Sequence, residues 1–370
     1  MTFLSFVLAF VGFALLVILH ELGHFTAAKL VGMRVEKFSL FFPPTLVSKK
    51  VGETEYAIGA IPAGGYVKIS GMNPDEDLPE EVRDRAYHAQ PVWKRIVVIA
   101  AGPAVNLVLA LVLLLLFYWA IGLPEPTRTV ETTERGYPAA GVVKPGDRLV
   151  AVDGKRAAPS AMSDLINSHG CAGPKSRWKP GCRATEPVSL TVVRDGREHT
   201  FELTPKYDPK APAEDENGRM RVGFGYVPGP HEAFPLGEAL DISTAQFWFI
   251  TKETIKLPAR LIDPEDRKEI SGVVGSYETT RQVILIDVER VVLILAVISL
   301  SLAIINLFPF LPLDGGHIFW AIVEKVRRKP VSLRVMERAG VVGFMLVILI
   351  FLIGLSNDID RLSGEGFQVR

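Results

Sequence analysis

His20 and His24 stand four residues apart in VILHELGHFTAAKL (17–30), with Glu21 between them. On a helix that spacing puts both imidazoles on one face, about a turn apart, where their nitrogens can reach one ion. Zn²⁺ commonly takes such ligands. Glu21 is offset around the helix and can reach a zinc-bound water without occupying a ligand position. Zinc lowers the pKa of that water to about 7, and a nearby carboxylate can take its proton as it attacks a carbonyl carbon. A catalytic zinc usually has a third protein ligand. Asp314, in NLFPFLPLDGGH (306–317), is a candidate, and His317 is its rival. Spacing alone does not choose between them, and a turn or helix cap is the other reading of Asp314-Gly315. Gly315-Gly316 would let the backbone approach a metal closely, and Pro309 and Pro312 break the helix ahead.

The elements that must hold these residues are apolar. The chain has 370 residues, net charge zero, 48% hydrophobic residues and mean hydropathy +0.26. The apolar residues gather in four runs of bilayer-spanning character: Phe3–Leu19, continuing as helix to Val31, then Ile96–Ile121, Val291–Phe308 and the shorter Val341–Leu355. The first is not a secretory signal in this reading, because no basic residue precedes it and it runs straight into HELGH. Ionisable side chains in a spanning helix are costly and mark function. Lys and Arg crowd the connections between runs one and two (Lys29 to Arg95) and three and four (Lys325 to Arg338). The positive-inside rule puts both on the cytoplasmic side, with the N-terminus, the long middle section and the C-terminus outside. Balanced charge, with no basic stripe carrying aromatics, argues against a nucleic-acid partner.

Between runs one and two, residues 45–71 read as short strands with turns at Gly52 and Gly64-Gly65. Residues 125–207 read as a soluble domain. There GVVKPGDRLVAVDG (141–154) places turns on both sides of strand Leu149–Val152, a helix follows at Ser160–Ser168, and strands 188–196 and 197–205 join through Asp195-Gly196. Residues 209–218 read as a linker, and Leu236–Ile262 as an interfacial or packing helix rather than a further span.

These motifs resemble the site-2 proteases, zinc metalloproteases that cleave peptide bonds inside membranes, and among them the RseP-like bacterial branch. HELGH (20–24) is similar to the family's H-E-x-x-H, and LDGG (313–316) to its L-D-G, which implies Asp314 rather than His317 as third ligand. AAGPAVN (100–106) resembles G-P-x-x-N and implies Asn106 near the site. IPAGGYVKISG (61–71) resembles a glycine-containing hairpin dipping toward the active site, and EISGVVGSY (269–277) an S-G-P-V-G stretch with Val273 where proline is usual. Pro312 falls one residue later than the family's second proline, while Asn306 and Pro309 stay in register. The insert GVVKPGDRLVAVDG resembles a bacterial PDZ domain, a module that binds extended chain ends by strand addition. Cys171 and Cys182 flank a Gly/Pro-rich insertion in it, on the oxidising side, which points to a disulfide.

The expected fold is thus a multi-pass α-helical membrane protein of about four transmembrane helices, with a small membrane-associated β-hairpin region and an extracytoplasmic α+β PDZ domain. Its expected parts are a membrane core (1–124), the PDZ-like domain (125–207), a linker and amphipathic region (208–288) and a second core part (289–370). The resemblance implies a Zn²⁺ intramembrane endopeptidase of the bacterial inner membrane, active toward the cytoplasmic side. Its partners would be the lipid bilayer, a single-span membrane substrate such as an anti-sigma factor, and an extracytoplasmic peptide at the PDZ domain. Glu21 would be the catalytic base and His20, His24 and Asp314 the zinc ligands. A transmembrane helix bonds its own carbonyls, so substrate would have to unwind, pair with the 45–71 sheet, and be held by Asn306, Asn106, Gly64 and Gly65. The rival is a non-catalytic PDZ membrane adaptor, which would predict loss of the ligands or of Glu21. All four residues are present.

Overall fold

The first apolar run forms one uninterrupted helix, α1 (Thr2–Leu30), and His20, Glu21 and His24 lie in its later turns. Leu30 ends it and Gly32, at φ 85°, turns the chain. The computed structural model describes residues 2–73, 76–209, 218–261, 263–268, 270, 272–329 and 331–363. It divides into two compact units, residues 1–121 with 234–370, and residues 122–233.

In the first unit, β1 (Val35–Val51) and β2 (Thr54–Ile69) pair through a turn at Gly52-Glu53. Both strands fold back on themselves, so Phe38 lies opposite Val67 on one side and Tyr56 on the other. The sheet begins ten residues earlier than the 45–71 stretch suggested, and Gly64-Gly65 does not turn the chain. It lies inside β2, with Gly65 opposite Leu40, and the backbone bends instead near Phe41, where φ is 71°. Two glycines are needed there for close approach. A side-chain carbon at 65 would stand 2.8 Å from Glu21 Cγ, and one at 64 would stand 2.8 Å from the Phe42 ring.

Helix α2 (Val92–Leu116) follows, with Pro103 inside it, and ends in a π turn at Phe117–Ile121. It packs against α1 and, from further along the chain, against α6 (Val291–Asn306) and α7 (Asp314–Arg327). The α1–α2 crossing is tight, since a side-chain carbon at Gly23 would come 2.6 Å from the Ala101 carbonyl oxygen. Helix α4 (Leu236–Ile255), after the second unit, packs on α2 and α6 through Ala239, Ser243 and Ile250. Helix α5 (Val273–Ile286) is capped by Asp358 of α8 (Leu333–Ser363), which accepts from the Gly272 and Gly275 N–H groups at 3.0 and 2.7 Å. Glu269 and Ser271 of the EISGVVGSY stretch lie outside the described residues.

Among the described residues, three helical stretches are long and apolar enough to cross a membrane: Phe10–Leu30, Val92–Ile121 and Arg334–Ser363. The last begins well before the Val341–Leu355 run. The remaining expected span, α6, is apolar but only 16 residues long, short of the ~20 that cross a bilayer unaided.

The second unit contains helix α3 (Pro159–Ser168) and a five-stranded sheet in the order β6-β5-β4-β3-β9. The strands are β3 (Leu123–Thr133), β4 (Arg148–Val152), β5 (Val188–Arg194), β6 (Arg197–Leu203) and β9 (Phe224–Glu232). Asp195 and Gly196, both at positive φ, close the β5–β6 hairpin. Val130, Leu149, Val152, Met162, Leu190 and Val192 fill the core. This unit extends past residue 207, because a short pair, β7 (Lys206–Asp208) with β8 (Arg219–Arg221), and then β9 complete it. Strand β9 carries Pro228 and Pro230, which an edge strand tolerates. Cys171 and Cys182 are bridged, and the bridge packs with Trp178, Ala184, Tyr207 and Met220.

Candidate metal centre

His20 and His24 share the α1 face turned toward α2 and α7, and both are buried, at 6% and 8% exposure. Their Nε2 atoms are 3.2 Å apart. Asp314 Oδ2 lies 3.3 Å from the first and 3.4 Å from the second. His24 Nδ1 is 2.9 Å from the Val98 carbonyl oxygen, which can only accept, so Nδ1 carries the hydrogen and neutral Nε2 a lone pair. Asp314 Oδ2 is buried and, among the described residues, has no hydrogen-bond donor. The Nε2 atoms of both histidines and Asp314 Oδ2 therefore converge in a buried place, an arrangement that a shared cation satisfies. The spacing fits a particular ion. Four ligands about 2.05 Å from zinc at tetrahedral angles are separated by about 3.3 Å, and the three observed separations are 3.2, 3.3 and 3.4 Å. The residues fit zinc.

Local sequence explains how Asp314 arrives. Helix α6 stops at Asn306, residues 307–313 turn back, and Asp314 opens α7. The two glycines after it let this turn close tightly. A side-chain carbon at 315 would overlap the Leu307 carbonyl, and one at 316 would stand 2.5 Å from the Leu311 nitrogen. His317, the rival ligand, is not among the atoms that converge.

Glu21, His20, His24 and Asp314 border a cavity of about 410 Å³. Gly64, Gly65 and Asn306 line it too, and Phe13, Val17, Phe42, Tyr66 and Leu302 supply apolar wall. Asn106 is not part of this lining. It is fully buried one turn beyond Gly102 on α2, and its carbonyl accepts a 3.0 Å hydrogen bond from Ser299 Oγ. The AAGPAVN motif contributes through another residue, Gly102, which reasoning from the sequence passed over. Any side-chain carbon there would overlap the His24 ring.

Such a centre, carried by helices of membrane-spanning length, defines the class of membrane metallohydrolases. Sequence comparison narrows it: the profile described as Peptidase family M50 matches residues 8–350. The chain belongs to that family, the site-2 proteases. It is 32% identical over 366 residues to a protein of Brucella suis provisionally named a zinc metalloprotease, covering 93% of this chain and 92% of that one. A similarly named protein of Nostoc is 30% identical over 358 residues, covering 92% and 91%. Metalloprotease MmpA of Caulobacter vibrioides is 28% identical over 388 residues, covering 94% and 93%. The protein is a membrane zinc metalloprotease.

Proposed function

We propose that this protease is an endopeptidase that hydrolyses peptide bonds within the transmembrane segments of single-span membrane proteins. One observation carries the reading: His20, His24 and Asp314 converge, with Glu21 beside them, on a largely apolar cavity among helices of membrane-spanning length. His20 Nε2, His24 Nε2 and Asp314 Oδ2 hold the zinc, which when bound supplies the Lewis acidity that activates water near neutral pH.

The chain's own residues do the rest. The Glu21 carboxylate takes a proton from the attacking water and hands it to the amine that leaves. The Val98 carbonyl holds the His24 ring in its tautomer. A substrate helix must unwind before its carbonyl can be attacked, because every carbonyl inside it is already bonded. Gly64–Val67 is an edge segment of the small sheet and lines the cavity, so pairing there replaces the helical bonds that are lost. The Asn306 amide then holds a freed backbone group.

By the positive-inside rule, the Lys/Arg-rich segments 29–95 and 325–338 are cytoplasmic. Helix α6 crosses as a fourth, short span, and the unit of residues 122–233 is extracytoplasmic. That unit acts as a PDZ domain that binds or excludes substrate ectodomains. The membrane is the bacterial inner membrane, and an anti-sigma factor with a shortened ectodomain is the substrate class the family likeness favours.

The test compares wild type with Glu21→Gln on a tagged single-span substrate in membranes, with zinc content read in parallel. Loss of roughly 10²–10⁴ in cleavage rate with zinc retained is the expected result. Unchanged cleavage would move the activity elsewhere.

A further inference from the structure

Helix α7 has a use beyond presenting Asp314. One side of it is held inside the fold: Arg95 of α2 grips Glu324 with two hydrogen bonds, at 2.7 and 2.9 Å, and Ala321 is buried. The other side is bare. Phe319, Ile322 and Val326 are 44%, 47% and 78% exposed, and their three- and four-residue spacing puts them along one face. The charge beside that face is one-sided. Although the whole chain is neutral, residues 325–338 carry six cations, Lys325, Arg327, Arg328, Lys329, Arg334 and Arg338, against the single carboxylate Glu337. All six cations are exposed, and among the described residues none is paired with a carboxylate.

We propose that the corner formed by the end of α7 and the start of α8 docks on the anionic phospholipid headgroups of the cytoplasmic leaflet, with Phe319, Ile322 and Val326 in the adjoining acyl region. A helix with an apolar face and a cationic end is the pattern that binds such a surface. Charge complementarity selects the occupant. An acidic soluble protein would neutralise the cations but leave the apolar face in water. The inference rests on the membrane reading above and gives α7 a second anchor, since the helix that opens with Asp314 would be seated at its far end by lipid.

The described cysteines are bridged to each other, so a thiol introduced at 326 is the one free label site among the described residues. The full-length Val326→Cys protein, also carrying Glu21→Gln, is labelled with an environment-sensitive dye and reconstituted into vesicles. One set is phosphatidylcholine, the other phosphatidylcholine with phosphatidylglycerol. Expected is a blue-shifted emission in the anionic vesicles, abolished when Lys325, Arg327, Arg328 and Lys329 are all replaced by Gln. Equal emission in both vesicle types would overturn the proposal, as would a shift that survives the four replacements. The same shift produced by a soluble polyphosphate in phosphatidylcholine vesicles would also overturn it, because the site would then read phosphate rather than the membrane surface. None of these readings needs proteolysis, so their failure leaves the proposed activity standing.

Discussion

Asp314 is the only negative ligand proposed for the centre, and that makes its contribution separable from its neighbour's. Replacing Asp314 by Ala is expected to cost more than the roughly 10–100-fold in zinc affinity typical of losing an outer partner. His317→Ala should leave zinc content unchanged. Metal analysis of the purified variants checks both, and zinc lost from the His317 variant alone would reverse the assignment. Gly102 gives a second prediction. Its missing side chain is the space that the His24 ring occupies, so Gly102→Val should lower zinc affinity about 10–100-fold although position 102 is no ligand. The pair His20 and His24, with Glu21, was legible in the sequence because four-residue spacing has a fixed meaning on a helix. Spacing alone did not choose the third ligand, since nothing in the pattern of NLFPFLPLDGGH says whether Asp314 or His317 turns inward, and only the resemblance of LDGG to the family motif pointed to Asp314. That depends on the backbone path through 307–313, which a local pattern does not encode. Gly102 was invisible as a site residue because its role is the absence of atoms at a distant contact.

At the level of elements, the long apolar runs were readable and their ends were not. Helix α8 begins at Leu333, inside a stretch rich in Arg, because helical hydrogen bonding continues through polar residues once an apolar core has committed it. Gly64-Gly65 looked like a turn and proved to be strand, because glycine serves close approach as readily as chain reversal. This placement yields a test. A side chain at 65 meets Glu21 Cγ and the Ser39 carbonyl, so Gly65→Val should cut the cleavage rate while zinc content stays constant. The substrate's own element matters equally. If unwinding precedes attack, a substrate span containing Gly or Pro is cleaved faster than a Leu-rich span of equal length, and equal rates would exclude unwinding as a costly step.

At the scale of the whole molecule, the second unit has a definite acid-sensitive ion pair. Asp147 in the second unit is 1% exposed and takes two hydrogen bonds from Arg194, at 2.7 and 2.6 Å. Those bonds hold its carboxyl below the ordinary value of 3.8. The folded form therefore keeps the charge more tightly than the unfolded chain does. The resulting stability is fully present above about pH 4 and fades as pH falls further. Calorimetry of the full chain should show the transition of this unit drop in acid, and Asp147→Asn should lower that transition near neutral pH and flatten the dependence. The unit's presence was legible from its turns and alternating strands. Its full extent was not, because β9 pairs with β3 across about a hundred residues of intervening chain, and such pairing leaves no local trace. The central claim for the molecule is that the bond it cuts lies inside the membrane. The direct measurement is mass spectrometry of both fragments of a single-span substrate co-reconstituted with the wild-type protein in sealed vesicles. A cut within the apolar segment, nearer its cytoplasmic end and absent with Glu21→Gln, is the predicted result. A cut in the aqueous flanks would contradict the account.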